Sequence, residues 1–476
     1  MEARFVAQDR VQAVNLYDRI PYLNRPYAQT HPDHLAALGR LHGMTPPPVE
    51  RARVLDIGAS EGANIIAMAM GLPEAQLTGV ELAAAPVARG QEAIRELGLK
   101  NVRLLQMDLL EMGADFGEFD YIVAHGLYAW TPEPVRDKLL AILRTNLSPQ
   151  GIGFVSYNAL PGGHVRRHLR EAMRLHIGKS EDPAVQVERA REMLRLLAAG
   201  RPEPTVLLDA IAQQAQEVLK QSDSSLFHDY LSPVYEPRTL RDFVAHAARH
   251  GLAYLTDAGV LDTWNIRLAP ESIAEVARIT GADRVLREQY FDLLRMRSFR
   301  QTLLCRKEVA LDEDWKVERA NGLYVASSAE QTGATQFTAQ GGVEMSTTNP
   351  AVVEYLRDLL KLWPGRRRIG TADSGLALEL FKHGMVDLHT HASLAKKAGE
   401  RPMASALARY QARRGEPMIA TLDHRALNAD DPRAREFLAL LDGTRDRAEL
   451  AAASGLSPAE VETRLARMSG LALLLS

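Results

Sequence analysis

Short apolar runs, each closed by a polar residue and a turn of small residues, recur through the first third of the chain. Val54-Leu55-Asp56-Ile57 runs into Gly58-Ala59-Ser60-Glu61-Gly62, and the helix-compatible stretch Ala63 to Gly71 follows at once. Leu77-Thr78-Gly79-Val80 closes on Glu81, Asn101 to Met107 closes on Asp108, and Phe119 to Ala124 closes on His125-Gly126. A fifth run, Gly151 to Asn158, follows the helical stretch Val135 to Leu147 and the turn Ser148-Pro149-Gln150-Gly151. Strands that are apolar on both faces and alternate with helices predict an α/β fold with a doubly wound, mostly parallel sheet. In such a sheet a ligand lies over the carboxyl ends of the strands, where Gly58, Glu81, Asp108 and His125 all fall.

Beyond Pro161-Gly162-Gly163 the period changes. A basic helical run spans His164 to Lys179, and helical stretches follow over about Pro183 to Ala199 and Pro204 to Lys220, with no strand signal. The β pattern returns after the helix Leu240 to His250, at residues 251–256 and 299–306. Residues 161–235 are therefore expected to form a helical insertion, with the sheet completed after it. Farther on, Pro350 to Leu362 and Leu376 to His383 predict helices, Met385 to His391 is strand-like, and Arg433 to Leu441, Arg447 to Ala453 and Ala459 to Met468 predict helices before a strand at Leu471 to Leu475. That order predicts one or two winged-helix-like units between 345 and 476. At the front, Thr30 and Asp33 are spaced as a capping box, with Leu35, Leu38 and Leu41 on one helix face. The tyrosines before them, Tyr17, Tyr22 and Tyr27, either pack on the sheet edge or form a lid.

The glycine turn narrows the chemistry. A dinucleotide fingerprint needs Gly at its first, third and sixth positions; counted from Gly58, the chain has Ser60 and Ala63 there. The Gly-Lys-Ser/Thr of a phosphate-binding loop is absent. What remains suits a nucleoside without a diphosphate, its ribose hydroxyls taken by Glu81.

Composition excludes more than it assigns. The chain has 476 residues, 46% hydrophobic and 25% charged, which is enough for several domains with a large core. A net charge of −3 gives no general attraction to nucleic acid, and Arg366-Arg367-Arg368 and Arg413-Arg414 are expected to be solvated loops. Cys305 is the single cysteine, which excludes an internal disulfide and a cysteine-based zinc site and fits a reducing, cytoplasmic setting. Met1 to Arg10 lacks the apolar core of a signal peptide, and the longest apolar runs, such as Ile65 to Met70, are too short for a membrane span. His389 and His391 share one face of a strand, but with no third ligand identifiable an ordinary exposed strand is expected and no metal.

The first motif, with Ser60 in place of the middle glycine, resembles that of class I S-adenosylmethionine-dependent methyltransferases. The resemblance extends along the chain. Tyr17-x-x-x-Pro21-Tyr22, Thr30-His31-Pro32, His125-Gly126-Leu127-Tyr128-Ala129-Trp130, Tyr157-Asn158 followed by Pro161-Gly162, and Phe227-His228-Asp229-Tyr230-Leu231 are similar to methyltransferases with a regulatory domain, among them the rickettsial-type protein lysine methyltransferases. This implies a seven-stranded Rossmann-like sheet, divided as an N-terminal lid with helices (1–45), the first part of the cofactor-binding domain (46–160), a helical insertion (161–235), the end of the sheet with the regulatory region (236–310) and a C-terminal winged-helix-like α+β domain (311–476).

The cofactor implied is S-adenosyl-L-methionine, with S-adenosyl-L-homocysteine as product. Its contacts would come from Asp56, Gly58, Ser60, Gly62 and Asn64 around the first turn, from Glu81 and Leu82 after the second strand, from Asp108 and Leu109 at the adenine, and from His125. Candidates for the transfer itself lie just past the fourth and fifth strands. Tyr157 and Asn158 are placed to orient a nucleophile, Trp130 to stack on a cation and His125 to touch the cofactor or act as a base, with Tyr128 a further candidate. The acceptor implied is the lysine nitrogen of a protein or peptide; a small molecule or natural-product peptide is the alternative, and a cofactor-binding scaffold without transfer is a second. A homodimer through the helical or C-terminal regions is expected, with no nucleic-acid partner.

Overall fold

The computed structural model describes residue 22, residues 25–199, residue 203, and residues 205–264, 267–339 and 342–476. The Tyr17 to Pro21 part of the N-terminal motif lies outside the described residues.

Seven strands form one sheet: β1 (Arg53–Ile57), β2 (Gln76–Glu81), β3 (Val102–Gln106), β4 (Phe119–Ala124), β5 (Leu147–Asn158), β6 (Leu252–Asp257) and β7 (Phe299–Arg306), in the spatial order β3-β2-β1-β4-β5-β7-β6. The pairings β2/β3, β1/β2, β1/β4 and β4/β5 are parallel, and β7 runs antiparallel between β5 and β6. The strand order reverses between β1 and β4, so a crevice opens above their carboxyl ends. β4 is buried at every position, and β1 is buried from Val54 onward. Such strands are held by two-sided burial, each fully buried Val, Leu or Ile contributing about 1.5–3 kcal/mol.

The two sheet faces carry separate cores. Val54, Tyr121, Val123 and Phe154 pack on one face with Leu35, Leu38 and Leu41 of the helix Pro32–Leu41. Leu55, Ile122, Val155 and Tyr157 pack on the other with Leu139 and Leu143 of the helix Glu133–Asn146 and Phe243 of the helix Leu240–Arg249. Three helices that follow β5, Gly163–Ile177, Pro183–Ala198 and Val206–Leu219, form a layer of their own. They share a small core around Leu169, Met173, Val187 and Leu194. A five-residue π-turn, Phe227–Leu231, closes this layer.

The C-terminal region departs from the sequence reading in places. Short strands Tyr324–Ala326, Gln336–Ala339 and Val343–Ser346 occupy a stretch whose turn-rich composition gave no clear element. Residues 471–475 are not a strand: the helix Pro458–Gly470 ends just before them, and Leu474 makes only a single bridge, to Ala404. A hairpin of Met418–Ala420 and Ala426–Asn428 stands between the helices Ala406–Arg414 and Pro432–Leu440. Among the described residues no helix is long and apolar enough to cross a membrane.

Three local expectations are corrected. His31, not Thr30, caps the helix Pro32–Leu41, accepting the Asp33 N–H. Asp33 is turned away to pair with Arg366 at 3.0 Å and His389 at 2.7 Å, while accepting from the Thr390 N–H and hydroxyl. Arg366 is therefore a buried ion-pair partner rather than part of a solvated loop, and the strand bearing His389 (Asp387–His389) is largely covered. Burial alone would favour the neutral acid at Asp33; its cationic partners reverse that and hold the carboxyl well below its usual range.

Candidate active site

The glycine turn keeps the geometry that its composition demands. Gly58, Ser60 and Gly62 all take left-handed backbone, with φ of +78°, +50° and +77°. Serine at the middle position adopts the conformation glycine would favour, and its N–H is bonded to Glu81 Oε2 at 3.0 Å. Glu81 Oε1 accepts the Ala83 N–H at 3.0 Å, so this carboxylate pins the turn after β1 to the turn after β2. The helix Ala84–Glu96 lies directly on the first turn. A Cβ at Gly90 would sit 2.2 Å from the Glu61 carbonyl oxygen, so only glycine allows that approach.

Beneath the turn, Asn64 Nδ2–H donates to Asp56 Oδ2 at 3.1 Å, both residues being buried. Desolvation pushes the Asp56 carboxyl up to about 6. Asn64 Oδ1 accepts from the Tyr27 N–H, the Thr30 hydroxyl and Nε2–H of His424 in the C-terminal domain, at 3.2, 3.0 and 2.9 Å. Burial lowers His424 to about 3, leaving it a neutral donor.

Above the strand ends lies a cavity of about 390 Å³. Asp56, Gly58, Ser60, Asn64, Glu81, Leu82, Asp108, Leu109 and His125 line one end of it; Gly62 stands behind, at the head of the helix. Asp108 also caps the short 3-10 turn Leu109–Glu111 through the Leu110 N–H, so it serves as cap and as cavity wall together. The size, the left-handed turn and the two carboxylates fit a nucleoside cofactor: Glu81 would take hydroxyls and Asp108 an amine, and among the described residues that line this end none is a Lys or Arg of the kind that clamps a diphosphate.

His125 sits between the two ends of the cavity. Ser156 Oγ accepts the Gly126 N–H at 2.7 Å and lies 2.9 Å from His125 Nδ1, so one hydroxyl anchors both the turn after β4 and the imidazole ring. The ring lies 4.1 Å from that of Tyr27, and burial with Arg25 nearby lowers its pKa to about 4. It is neutral here and a poor base.

The far end is walled by Tyr22, Trp130, Asn158, Arg166, Phe227 to Asp229, Ser232 to Val234 and Phe299. Asn158 is 4% exposed, and its Oδ1 is buried without a hydrogen-bond partner among the described residues. Tyr22 donates to Asp229 Oδ1 at 3.3 Å, and burial raises the Asp229 carboxyl pKa. The π-turn presents Phe227, His228 and Asp229 together to the cavity; such single turns recur at functional sites. Trp130 is a wall residue whose ring already carries the Arg170 guanidinium at 5.5 Å, so the cation it stacks on within this chain is internal.

Tyr157 and Tyr128 lie outside the cavity. Along β5, Phe154, Ser156 and Asn158 share one face and Val155 and Tyr157 the other. Tyr157 stacks on Phe243 with ring centroids 4.3 Å apart, and its hydroxyl meets Thr302 at 3.2 Å. Tyr128 packs edge-on to the same Phe243 and donates to His246 Nδ1 at 2.8 Å. Burial raises both phenols, Tyr128 to about 12. Sequence reasoning in turn gave Tyr27 only as sheet-edge packing or lid, left Phe299 unassigned and gave Asp229 no role; Tyr22 and Tyr27 line the cavity, and the Phe227 to Leu231 motif was the available signal for Asp229.

Comparisons with known proteins agree with this geometry. A "Methyltransferase domain" profile matches residues 54–151, a "Predicted methyltransferase regulatory domain" profile residues 222–306, and a "PKMT, C-terminal winged helix domain" profile residues 400–455. An uncharacterized protein of Rickettsia prowazekii is 32% identical over 301 residues, 63% of this chain and 54% of that protein. A second from the same organism is 32% identical over 234 residues, 49% of this chain and 94% of that protein. The chain thus spans about half the length of the first relative and nearly all of the second. The structure of PKMT2 from Rickettsia typhi, solved also in complex with AdoHcy, superposes with a TM-score of 0.85 at 24% identity, covering 96% of this chain and all of that one. The chain belongs to the class I S-adenosylmethionine-dependent methyltransferases that carry a methyltransferase regulatory domain.

Proposed function

We propose that the protein methylates the side-chain nitrogen of lysine in a protein or peptide. The observation that carries this reading is the far end of the cavity, where aromatic rings surround two oxygen acceptors, the Asp229 carboxyl and the Asn158 Oδ1 that no other described residue engages. Rings and a carboxylate suit an incoming ammonium. S-adenosylmethionine would supply the electrophilic methyl group of an in-line displacement. The chain's own residues would do the rest. Tyr22, Tyr27, Phe227 and Phe299 exclude water, which favours the neutral amine. Asn158 Oδ1 would accept an N–H and so aim the lone pair; His125, with its pKa lowered to about 4, is a poor base, and the proton given up by the ammonium would pass to the Asp229 carboxylate, whose pKa burial raises. Positioning supplies most of the rate.

PKMT2, as its name describes it, is the relative that supports a protein acceptor. The test is methyl transfer from radiolabelled cofactor into a lysate separated into protein and small-molecule fractions, followed by mass spectrometry of labelled protein. Label on lysine supports the reading. Label only in small molecules overturns it, and label in neither fraction leaves a cofactor-binding scaffold.

A further inference from the structure

Behind the acceptor wall, on the opposite face of the sheet, two helices bring three ligand-type side chains together. His246 and His250 stand four residues apart at the end of the helix Leu240–Arg249, so their rings share one face. Asp137 faces them from the helix Glu133–Asn146. Its Oδ1 lies 3.3 Å from His246 Nε2 and 2.9 Å from His250 Nε2. Among the described residues this is the one group of three His, Cys, Asp or Glu side chains whose ligand atoms all lie within 4.8 Å of one another.

We infer that Asp137, His246 and His250 form a binding site for a divalent transition metal of the zinc class, outside the methyl-transfer cavity. Imidazole nitrogen and carboxylate oxygen are the donors such ions take, with bonds near 2.0–2.2 Å. A tetrahedral site with those bonds has ligand-to-ligand edges of about 3.3–3.6 Å. The two oxygen–nitrogen separations, 3.3 and 2.9 Å, fall at or just under that range and the two ring nitrogens lie within 4.8 Å of each other, so side-chain rotations admit an ion. His246 also has the outer-shell partner that a ligating histidine requires, because its Nδ1 meets the Tyr128 hydroxyl at 2.8 Å. Without metal, the Tyr128 O–H donates to Nδ1 and the Nε2 proton goes to Asp137. With metal on Nε2, that proton moves to Nδ1 and the tyrosine oxygen accepts it, with no net proton released from the neutral ring.

The His246 side chain is 8% and the His250 side chain 17% exposed, while Asp137 at 57% leaves a fourth position open to water. That is the layout of an accessible site between helices rather than of a closed core. A bound ion would clamp the two helices and, through Tyr128, steady the turn whose Leu127 and Trp130 line the cavity.

The test is calorimetric titration of the chelator-treated, full-length chain with Zn²⁺, repeated with Co²⁺ to read the ligand field from its visible spectrum. One equivalent bound at micromolar Kd or tighter, with a tetrahedral cobalt spectrum and a raised Tm, is expected. His250→Ala and Asp137→Asn should each weaken binding at least about ten-fold. Folding of both variants is checked by circular dichroism, with His250→Gln as the milder replacement. No binding below millimolar zinc, or equal binding by wild type and the variants, overturns the assignment.

Discussion

Replacing Glu81 tests the cofactor assignment most directly. The carboxylate accepts from the Ser60 N–H and the Ala83 N–H, each at 3.0 Å, and borders the cavity. Glu81→Ala removes one charge-assisted bond to the cofactor sugar, worth about 1.5–3 kcal/mol. At about 1.4 kcal/mol per ten-fold, that predicts a Kd raised roughly ten- to hundred-fold. The turn would also loosen, because Ser60 holds a left-handed conformation as a non-glycine and Glu81 is what fixes its amide. Glu81→Gln keeps one acceptor but sets an NH₂ group against the other backbone N–H, so its affinity should fall between those of wild type and Glu81→Ala. Calorimetry with S-adenosylhomocysteine reads all three proteins, with thermal melts to separate lost binding from lost folding. A Glu81→Ala protein that folds and binds within two-fold of wild type would refute the nucleoside reading of this strand end.

Four further outcomes are expected. Asn158→Ala should slow methyl transfer about ten-fold or more while leaving S-adenosylhomocysteine affinity within two-fold; unchanged turnover removes Asn158 from the acceptor side. His424→Asn, which tolerates the left-handed φ of +61° found there but is too short to reach Asn64, should raise the cofactor Kd roughly two- to ten-fold in the same titration. Asp56 ionises only at about 6 in the folded chain against an ordinary 3.8, so burying its charge costs nothing below pH 3.8, increasingly more between 3.8 and 6, and up to about 3 kcal/mol above that. Asp56→Asn should therefore raise Tm at pH 7.5 and gain far less at pH 4, and a pH-independent difference would contradict this. The exposed Leu175, Leu196, Val206 and Leu207 on the helical layer suit a homodimer, for which light scattering at micromolar concentration should give twice the 52.6 kDa chain mass rather than a monomer.

The strand ends were legible because each apolar run stops at a residue that cannot continue it. Gly58, Glu81, Asp108 and His125 mark four such stops, and the sheet places them at one cavity. The side that each residue faces was not legible on β5. That strand is buried along both faces from Gly151 onward, so it offers no alternation of polar and apolar positions from which to separate Asn158 from Tyr157. Tyr157 and Asn158 read alike as polar residues at a strand end, yet one is in the cavity and its neighbour is in the opposite core. Asp33 failed for another reason: its spacing from Thr30 suits a local cap, and a tertiary partner more than three hundred positions away, Arg366, took the carboxylate instead.

The contact between His424 and Asn64 bears on what the C-terminal domain is for. Its hairpin turn, residues 421–425, is closed by the Thr421 N–H to Arg425 carbonyl bond at 2.9 Å and the His424 N–H to Thr421 carbonyl bond at 3.1 Å. That closure sets His424 in a backbone region that a non-glycine residue enters at a cost of order 1–3 kcal/mol. The ring it delivers is buried against His31 and donates to the same amide oxygen that Tyr27 and Thr30 address from the N-terminal segment. Asn64 in turn holds Asp56 beneath the glycine turn. Two distant segments of the chain therefore converge on one side chain of the cofactor pocket. A shift of the C-terminal domain would remove a donor from that side chain and change cofactor affinity without touching the acceptor end of the cavity.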